Sequence, residues 1–292
     1  MIVYHRVGGP ASGDEDVEIL PAVSAAEFER QLRHLRRHYR VVRAAEILEA
    51  ARTRRRWQRY PVAITFDDDL AEHVSAALPA LRRAGVTATF FLTGASLDEP
   101  HAFWWEDLQP TIDRRLVTPD RVPHVDVGPA LERSPRAILD LAGEIVRLTP
   151  EQRTEVAAAL RAAVGPPKEG GLRARDVRAL AEAGCTVGFH TLRHDALPTL
   201  PDAELARALR EGREALEAAA GEPVEVIGYP HGKADGRVAA AARSAGFTLG
   251  FTTARGAVSA DTDPLRIPRT VADLSARSLA LRLARLLRAA KA

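Results

Sequence analysis

Along the chain, short apolar runs rich in Val, Ile and Phe alternate with longer stretches whose apolar residues recur every three or four positions. IVYH at 2–5 reads as a short strand, followed by a Gly/Pro/Ser/Asp loop from Gly8 to Asp16. A helix is expected from Ser24 to about Tyr39: Ser24 and Glu27 form a capping box, and Phe28, Leu32 and Leu35 share one face. A second helix, near Ala44–Arg52, precedes the strand PVAITF; another runs to Gly85, which sits where a helix-ending glycine belongs. Strands are then expected at VTATFFLTG, CTVGF, EVIGYP and FTLGFTT. Helices are expected near Arg173–Ala183, over Asp202–Ala220 as one long amphipathic element, and over Ala234–Ala245, closed by Gly246. Strands separated by helices at this rhythm imply parallel pairing, in a doubly wound sheet or a barrel.

Residues 98–171 break the rhythm. HAFWWEDLQPTI is aromatic, and the rest of the segment has helical stretches without strong strand signals, so it reads as a mostly helical insertion in a single domain spanning 1–292. Trp104 and Trp105 read as packing residues of that insertion. The C-terminal SARSLALRLARLLRAAKA is a basic amphipathic helix, expected to dock on the body and not on a membrane surface.

Composition changes this picture little. The 46% hydrophobic content supports a full core, and 41 Lys plus Arg against 39 Asp plus Glu leave a net charge of +2, so nothing demands nucleic acid. The arginines read as spread along solvated helix faces. A single cysteine, Cys185, excludes an internal disulfide framework and reads as a small buried hydrophobe. The start MIVYHRV lacks the pattern of a signal peptide, and no apolar run approaches the roughly 18 residues of a membrane span, so a cytoplasmic setting is expected.

Candidate chemistry enters at PVAITFDDDL, where a buried strand drives into Asp67, Asp68 and Asp69. One aspartate is enough to cap the following helix. Three together repel unless a cation or shared protons compensate. A second stretch, His190-Thr191-Leu192-Arg193-His194, follows the strand CTVGF directly. On a helical turn, histidines four apart aim both imidazoles the same way, which suits chelation of one ion. In a parallel barrel both motifs lie at the C-terminal ends of the strands, where active sites are built. Two His and one Asp leave a coordination position open for water, as a catalytic metal site requires.

TFDDD, HTLRH and GYPHG, in that order, resemble the motifs of the polysaccharide deacetylase family, the NodB-homology carbohydrate esterases. The resemblance spans nearly the whole chain apart from 98–171. It implies an α/β fold, a distorted (β/α)7-type barrel. It also implies Asp67 as catalytic base and Asp68, His190 and His194 as ligands of one divalent metal, zinc first, with cobalt, nickel or manganese as alternatives.

Three departures stand out. The family's glycine after the aspartate pair is Asp69, an extra charge near the site or a cap of the next helix. The arginine of the third motif is replaced by Gly228, and Arg266 or Arg269 of PLRIPR is the candidate substitute. No histidine follows His231, so the usual late Leu-x-His is missing; Tyr4-His5 resembles the segment of permuted members, which implies His5 as general acid. The backbone N–H of His231 is expected to hold the oxyanion, and Tyr229 and Arg269 to stand near the substrate. His73 reads as a helix-face residue, and His34, His38, His101 and His124 as surface. The expected function is metal-dependent N-deacetylation of an amino sugar or N-acetylated glycan. A glycan-binding barrel with a structural metal, or a deformylase or other acyl hydrolase on a lipid-linked sugar, is the alternative. The expected partner is carbohydrate.

Overall fold

The first apolar run forms β1 (Ile2–Tyr4), and a two-stranded parallel sheet comes next, made of β2 (Arg40–Val41) and β3 (Pro61–Val62). Then come β4 (Ile64–Asp67), β5 (Thr89–Leu92), β6 (Thr186–Phe189), β7 (Val226–Gly228) and β8 (Leu249–Thr252). The last strand segments are β9 (Ile267–Pro268) and β10 (Thr270–Val271). This computed structural model describes residues 1–8, 18–128, 134–167 and 170–289. The expected Gly8–Asp16 loop, Gly8 excepted, lies outside the described residues.

The main sheet is wholly parallel, in the order β10-β1-β4-β5-β6-β7-β8-β9. Its two edge segments, β9 and β10, are separated only by Arg269. The Arg269 N–H donates to the Thr252 carbonyl at 2.9 Å, and the Thr270 N–H to the Met1 carbonyl at 3.0 Å. One bent strand therefore bridges β8 and β1 and closes the sheet into a barrel with seven strand positions. Strands buried on both faces read as continuous apolar runs, as the sequence pattern does. Side chains alternate: Ile64, Phe66, Phe90 and Leu92 pack outward on the helical layer, whereas Ala63, Phe91, Val226, Phe251 and Ile267 fill the lumen. Ala44, Ile47 and Leu48 pack with this luminal set.

The helices are α1 (Ala25–His38), α2 (Ile47–Arg52), α3 (Leu78–Ala84), α4 (Trp104–Asp113), α5 (Pro135–Arg147) and α6 (Pro150–Val164). They continue with α7 (Ala174–Glu182), α8 (Asp202–Ala208), α9 (Arg213–Ala220), α10 (Gly236–Ser244) and α11 (Ala276–Ala289). Ser24 caps α1 by accepting from the Glu27 N–H at 3.3 Å, and Gly85 ends α3 in the left-handed region with φ 63°. The single helix expected over Asp202–Ala220 is two, α8 and α9. Gly212 turns the chain with φ 85°, and the Leu192 side chain packs where its Cβ would stand. Leu279 and Leu283 of α11 are buried in the barrel's helical layer.

Two compact units result: Met1–Gly9, Ala22–Glu99 and Gly171–Ala292 form the barrel unit, and Pro10–Pro21 with Pro100–Gly170 form the other. The second has its own core of Trp104, Leu108, Ile112, Ile138, Ile145, Val156 and Leu160. Within it the Ile19 N–H donates to Gln109 Oε1 at 2.9 Å, and Asp107 pairs with Arg161 at 2.6 Å.

Candidate active site

His5, the aspartates, the histidine pair and the Tyr229–His231 segment sit at the C-terminal ends of β1, β4, β6 and β7, and Arg269 reaches them from within the bridging strand. In β4 the alternation turns Thr65 and Asp67 inward. The register Tyr4↔Phe66 brings His5, just past β1, beside Asp67. β6 ends at Phe189, and the His190 N–H extends the ladder by donating to the Leu92 carbonyl at 2.8 Å.

Asp67 is held by one guanidinium. Arg269 Nη1 donates to Oδ1 at 2.6 Å and Nη2 to Oδ2 at 2.8 Å, while Nη1 also reaches Thr65 Oγ1 at 3.2 Å. Arg269 is only 2% exposed, with its guanidinium carbon 5.0 Å from the Phe91 ring centroid. Burial by itself would raise the Asp67 pKa, but Arg269, helped by His190 and His5, outweighs it and holds the carboxyl below its ordinary value. Arg266, the other candidate of PLRIPR, is exposed. Gly228 has no room for a side chain, because a Cβ there would meet Phe91 Cγ at 2.7 Å.

Next to this pair, Asp68, His190 and His194 offer ligand atoms that all lie within 4.8 Å of one another. Asp68 Oδ1 is 3.6 Å from His190 Nε2 and 3.5 Å from His194 Nε2. His190 Nδ1 stands 2.6 Å from the Gly228 carbonyl, which can only accept, so Nδ1 carries the proton and Nε2 turns a lone pair to the cluster. Burial drives the His190 pKa down to about 4, against the pull of Asp67, so the ring is neutral. A carboxylate and buried imidazoles of this kind form a donor set that fits a divalent ion with a position left open. The histidine pair is not on a helical turn as expected. Thr191 and His194 both take positive φ, 56° and 51°, in a tight turn. Asp68 and His231 do the same, with φ 71° and 56°, so four of the six non-glycine residues with positive φ among those described gather here. Such conformations cost of order 1 kcal/mol each and concentrate at functional sites.

Several readings need correction. Asp69 does not cap the following helix: it accepts from the Thr93 N–H at 2.7 Å, the Thr93 hydroxyl at 2.5 Å and the Gly94 N–H at 3.0 Å, tying β4 to the end of β5. Burial raises its pKa despite these bonds. His73 is more than a helix-face residue. It opens a single π turn, is fully buried, and donates from Nε2 to the His5 carbonyl at 3.0 Å. The Tyr229 side chain does not reach the cluster: it is fully buried, and its hydroxyl donates to the Leu265 carbonyl at 2.8 Å. Sequence reasoning missed Thr93, just past β5, as the partner of Asp69, and Thr65, on the inward face of β4, as a partner of Arg269. His231 stands edge-on to His194, with ring centroids 4.7 Å apart, and lines a cleft of about 700 Å³ together with Gly232, Lys233, Thr253, Thr262 and Arg266.

Residues 54–250 match the polysaccharide deacetylase family. The chain belongs to that family. The matched stretch holds the Asp67–Asp69 run, the His190/His194 pair and GYPHG, while His5 and Arg269 lie outside it. Its fold is similar to that of the Streptococcus pyogenes deacetylase PplD in complex with acetate, at 15% identity over 96% of each chain and a TM-score of 0.63. It is also similar to IcaB from Ammonifex degensii, at 18% identity over 93% of this chain and 90% of the other, with a TM-score of 0.60. A de-N-acetylase from Aggregatibacter actinomycetemcomitans shares 15% identity over 94% of each chain, with a TM-score of 0.60. At these identities the likeness is one of fold. No curated protein matches the chain in sequence. This member of the deacetylase family is thus a barrel hydrolase whose His/Asp cluster can hold a metal ion, and no helix among its described residues is long and apolar enough to cross a membrane.

Proposed function

We propose that this deacetylase removes the N-acetyl group of an amino sugar within a glycan and depends on one divalent ion, zinc first, held by Asp68, His190 and His194. One observation carries the reading: a buried carboxylate, Asp67, locked to Arg269, stands beside three clustered ligand side chains. When bound, the ion would polarise the acyl carbonyl and lower the pKa of water next to it. Asp67, kept ionised by Arg269, takes the proton of the attacking water; each of its oxygens has a lone pair beyond the one Arg269 uses. The His231 backbone N–H is the proposed donor to the oxyanion. His5 returns a proton to the departing nitrogen, which otherwise leaves poorly, and the His73 bond to its carbonyl steadies that strand end. The cleft lined by His231 and Arg266 has the size of a small-ligand site and is the proposed seat of the sugar chain.

The test is release of acetate and free amine from short N-acetyl chitooligosaccharides by zinc-loaded protein. His194→Ala is expected to lower metal content and turnover together. Protein that binds zinc stoichiometrically yet releases no acetate from any N-acetyl glycan would return the fold to a binding barrel with a structural metal.

A further inference from the structure

Arginines occur along the whole chain, as expected, but one segment concentrates them. Residues 36–59 hold nine arginines against two glutamates, a net +7 in a chain whose total is +2. The segment runs from the end of α1 through β2 and α2 to the entry of β3, so it covers the end of the barrel where the strands begin. It is one patch: Arg59 donates to the Arg36 carbonyl at 3.1 Å, the Arg40 N–H to the Tyr60 carbonyl at 2.9 Å, and Arg54 lies 3.6 Å over the Tyr60 ring. Eight of the nine arginines are exposed. Among the described residues only Arg43 has a carboxylate in ion-pair range, Glu46. Cations left without acids on one face form a patch of positive potential.

An aromatic residue stands in the middle of it. Trp57 is 78% exposed, and the Arg55 guanidinium is 5.6 Å from its ring. Beside the patch lies an apolar hollow of about 150 Å³, lined among others by Tyr39, Tyr60, Val258, Leu283, Leu286 and Leu287. A lone outward tryptophan ringed by arginine suits the boundary between lipid headgroups and acyl chains, where indoles settle and basic residues meet phosphate. A strand of nucleic acid is served instead by several aromatics along a groove, and this loop offers one.

We propose that this end of the barrel docks on a membrane surface rich in anionic phospholipid, with Trp57 in the interface and the arginines of 52–59 among the headgroup phosphates. The anchor is the loop and not α11, whose Leu279 and Leu283 are committed to the core. Asp67 and the His/Asp cluster occupy the opposite end of the strands, so the docked enzyme presents its site to the aqueous side, to a glycan reaching it from solution.

The experiment is co-sedimentation of the full chain with pure phosphatidylcholine vesicles and with vesicles in which about a third of the lipid is phosphatidylglycerol, across a salt series. Binding to the anionic vesicles alone, weakening as salt rises, is expected. The double variant Arg55→Glu/Arg56→Glu should reduce partitioning by more than about tenfold. Trp57→Ser should also reduce it, and should abolish the blue shift of tryptophan emission that vesicles induce. All three residues are exposed and remote from the site, so hydrolysis of a soluble oligosaccharide should be unchanged in both variants and certifies their fold. No sedimentation with anionic vesicles, or equal binding to both vesicle types, overturns the proposal. So does capture by heparin or single-stranded DNA with no vesicle-induced blue shift, which would assign the patch to a soluble polyanion.

Discussion

Asp67 spends both carboxylate oxygens on a single guanidinium, and that pairing decides which of its protonation states is populated. If it is the base, Asp67→Asn keeps the shape and removes the function: turnover should fall by about 10²–10⁴-fold while metal content, measured on the same protein, stays at the wild-type level. Metal lost together with activity would make Asp67 a ligand. For His5 the informative comparison is between substrates. His5→Ala should depress amide hydrolysis strongly and spare an activated aryl ester, whose leaving group needs no proton; equal losses on both would reduce His5 to a packed strand-end residue. At this scale the sequence was legible where a side chain's position follows from its place at a strand end, as for Asp67, Asp68 and His190, which the structure brings together. It was not legible where the choice depended on which way a residue faces. PLRIPR offered two arginines, and only the closure of the barrel turns Arg269 inward and leaves Arg266 exposed. Tyr229 looked available because it belongs to the third motif, yet Gly250 leaves the space its ring fills: a Cβ there would collide with the phenol oxygen.

Elements with local signals formed as their residues dictate, with Ser24 opening α1 and Gly85 closing α3. The π turn His73–Ala77 had no such signal, since a helix-period pattern does not distinguish it from the α-helix it leads into. Its buried histidine has a consequence for stability. Burial takes the His73 pKa from 6.5 down to about 4, against the pull of its bond to the His5 carbonyl. A histidine depressed in this way contributes stability above pH 6.5 and loses it as pH falls towards 4, because the unfolded chain takes up the proton first. Chemical denaturation of wild type and His73→Gln should therefore show a stability gap that narrows by about 2 kcal/mol between pH 7 and pH 5. A gap independent of pH would mean that the ring is charged, or hydrated, in the folded protein. Titration of His190 is common to both proteins and cancels in the comparison.

For the molecule as a whole, parallel pairing was legible in the alternation of runs and helices, the barrel only through the resemblance of the three motifs, and the helical segment in the place where that alternation stops. The recruitment of residues 18–21 to the second unit was not, because it rests on contacts such as Ile19 to Gln109, 90 residues apart, which leave no local trace. An ion held by Asp68 and the two histidines would tie β4 to β6 and so act on global stability. Zinc at about a hundred times its dissociation constant should raise unfolding free energy by about 2.7 kcal/mol, reversibly on chelation, and His194→Ala should abolish the increment. The bridging strand 267–271 adds a constraint of another kind. Arg269 lies 202 residues after Asp67, so a growing polypeptide exposes its cluster of aspartates long before their guanidinium is made. Until then β1 and β8 have no strand to join them, and unpaired parallel edges are slow to find partners and prone to pair with other chains. During synthesis, the time between translation of β8 and translation of residues 267–271 is when this protein most needs a chaperone's cover.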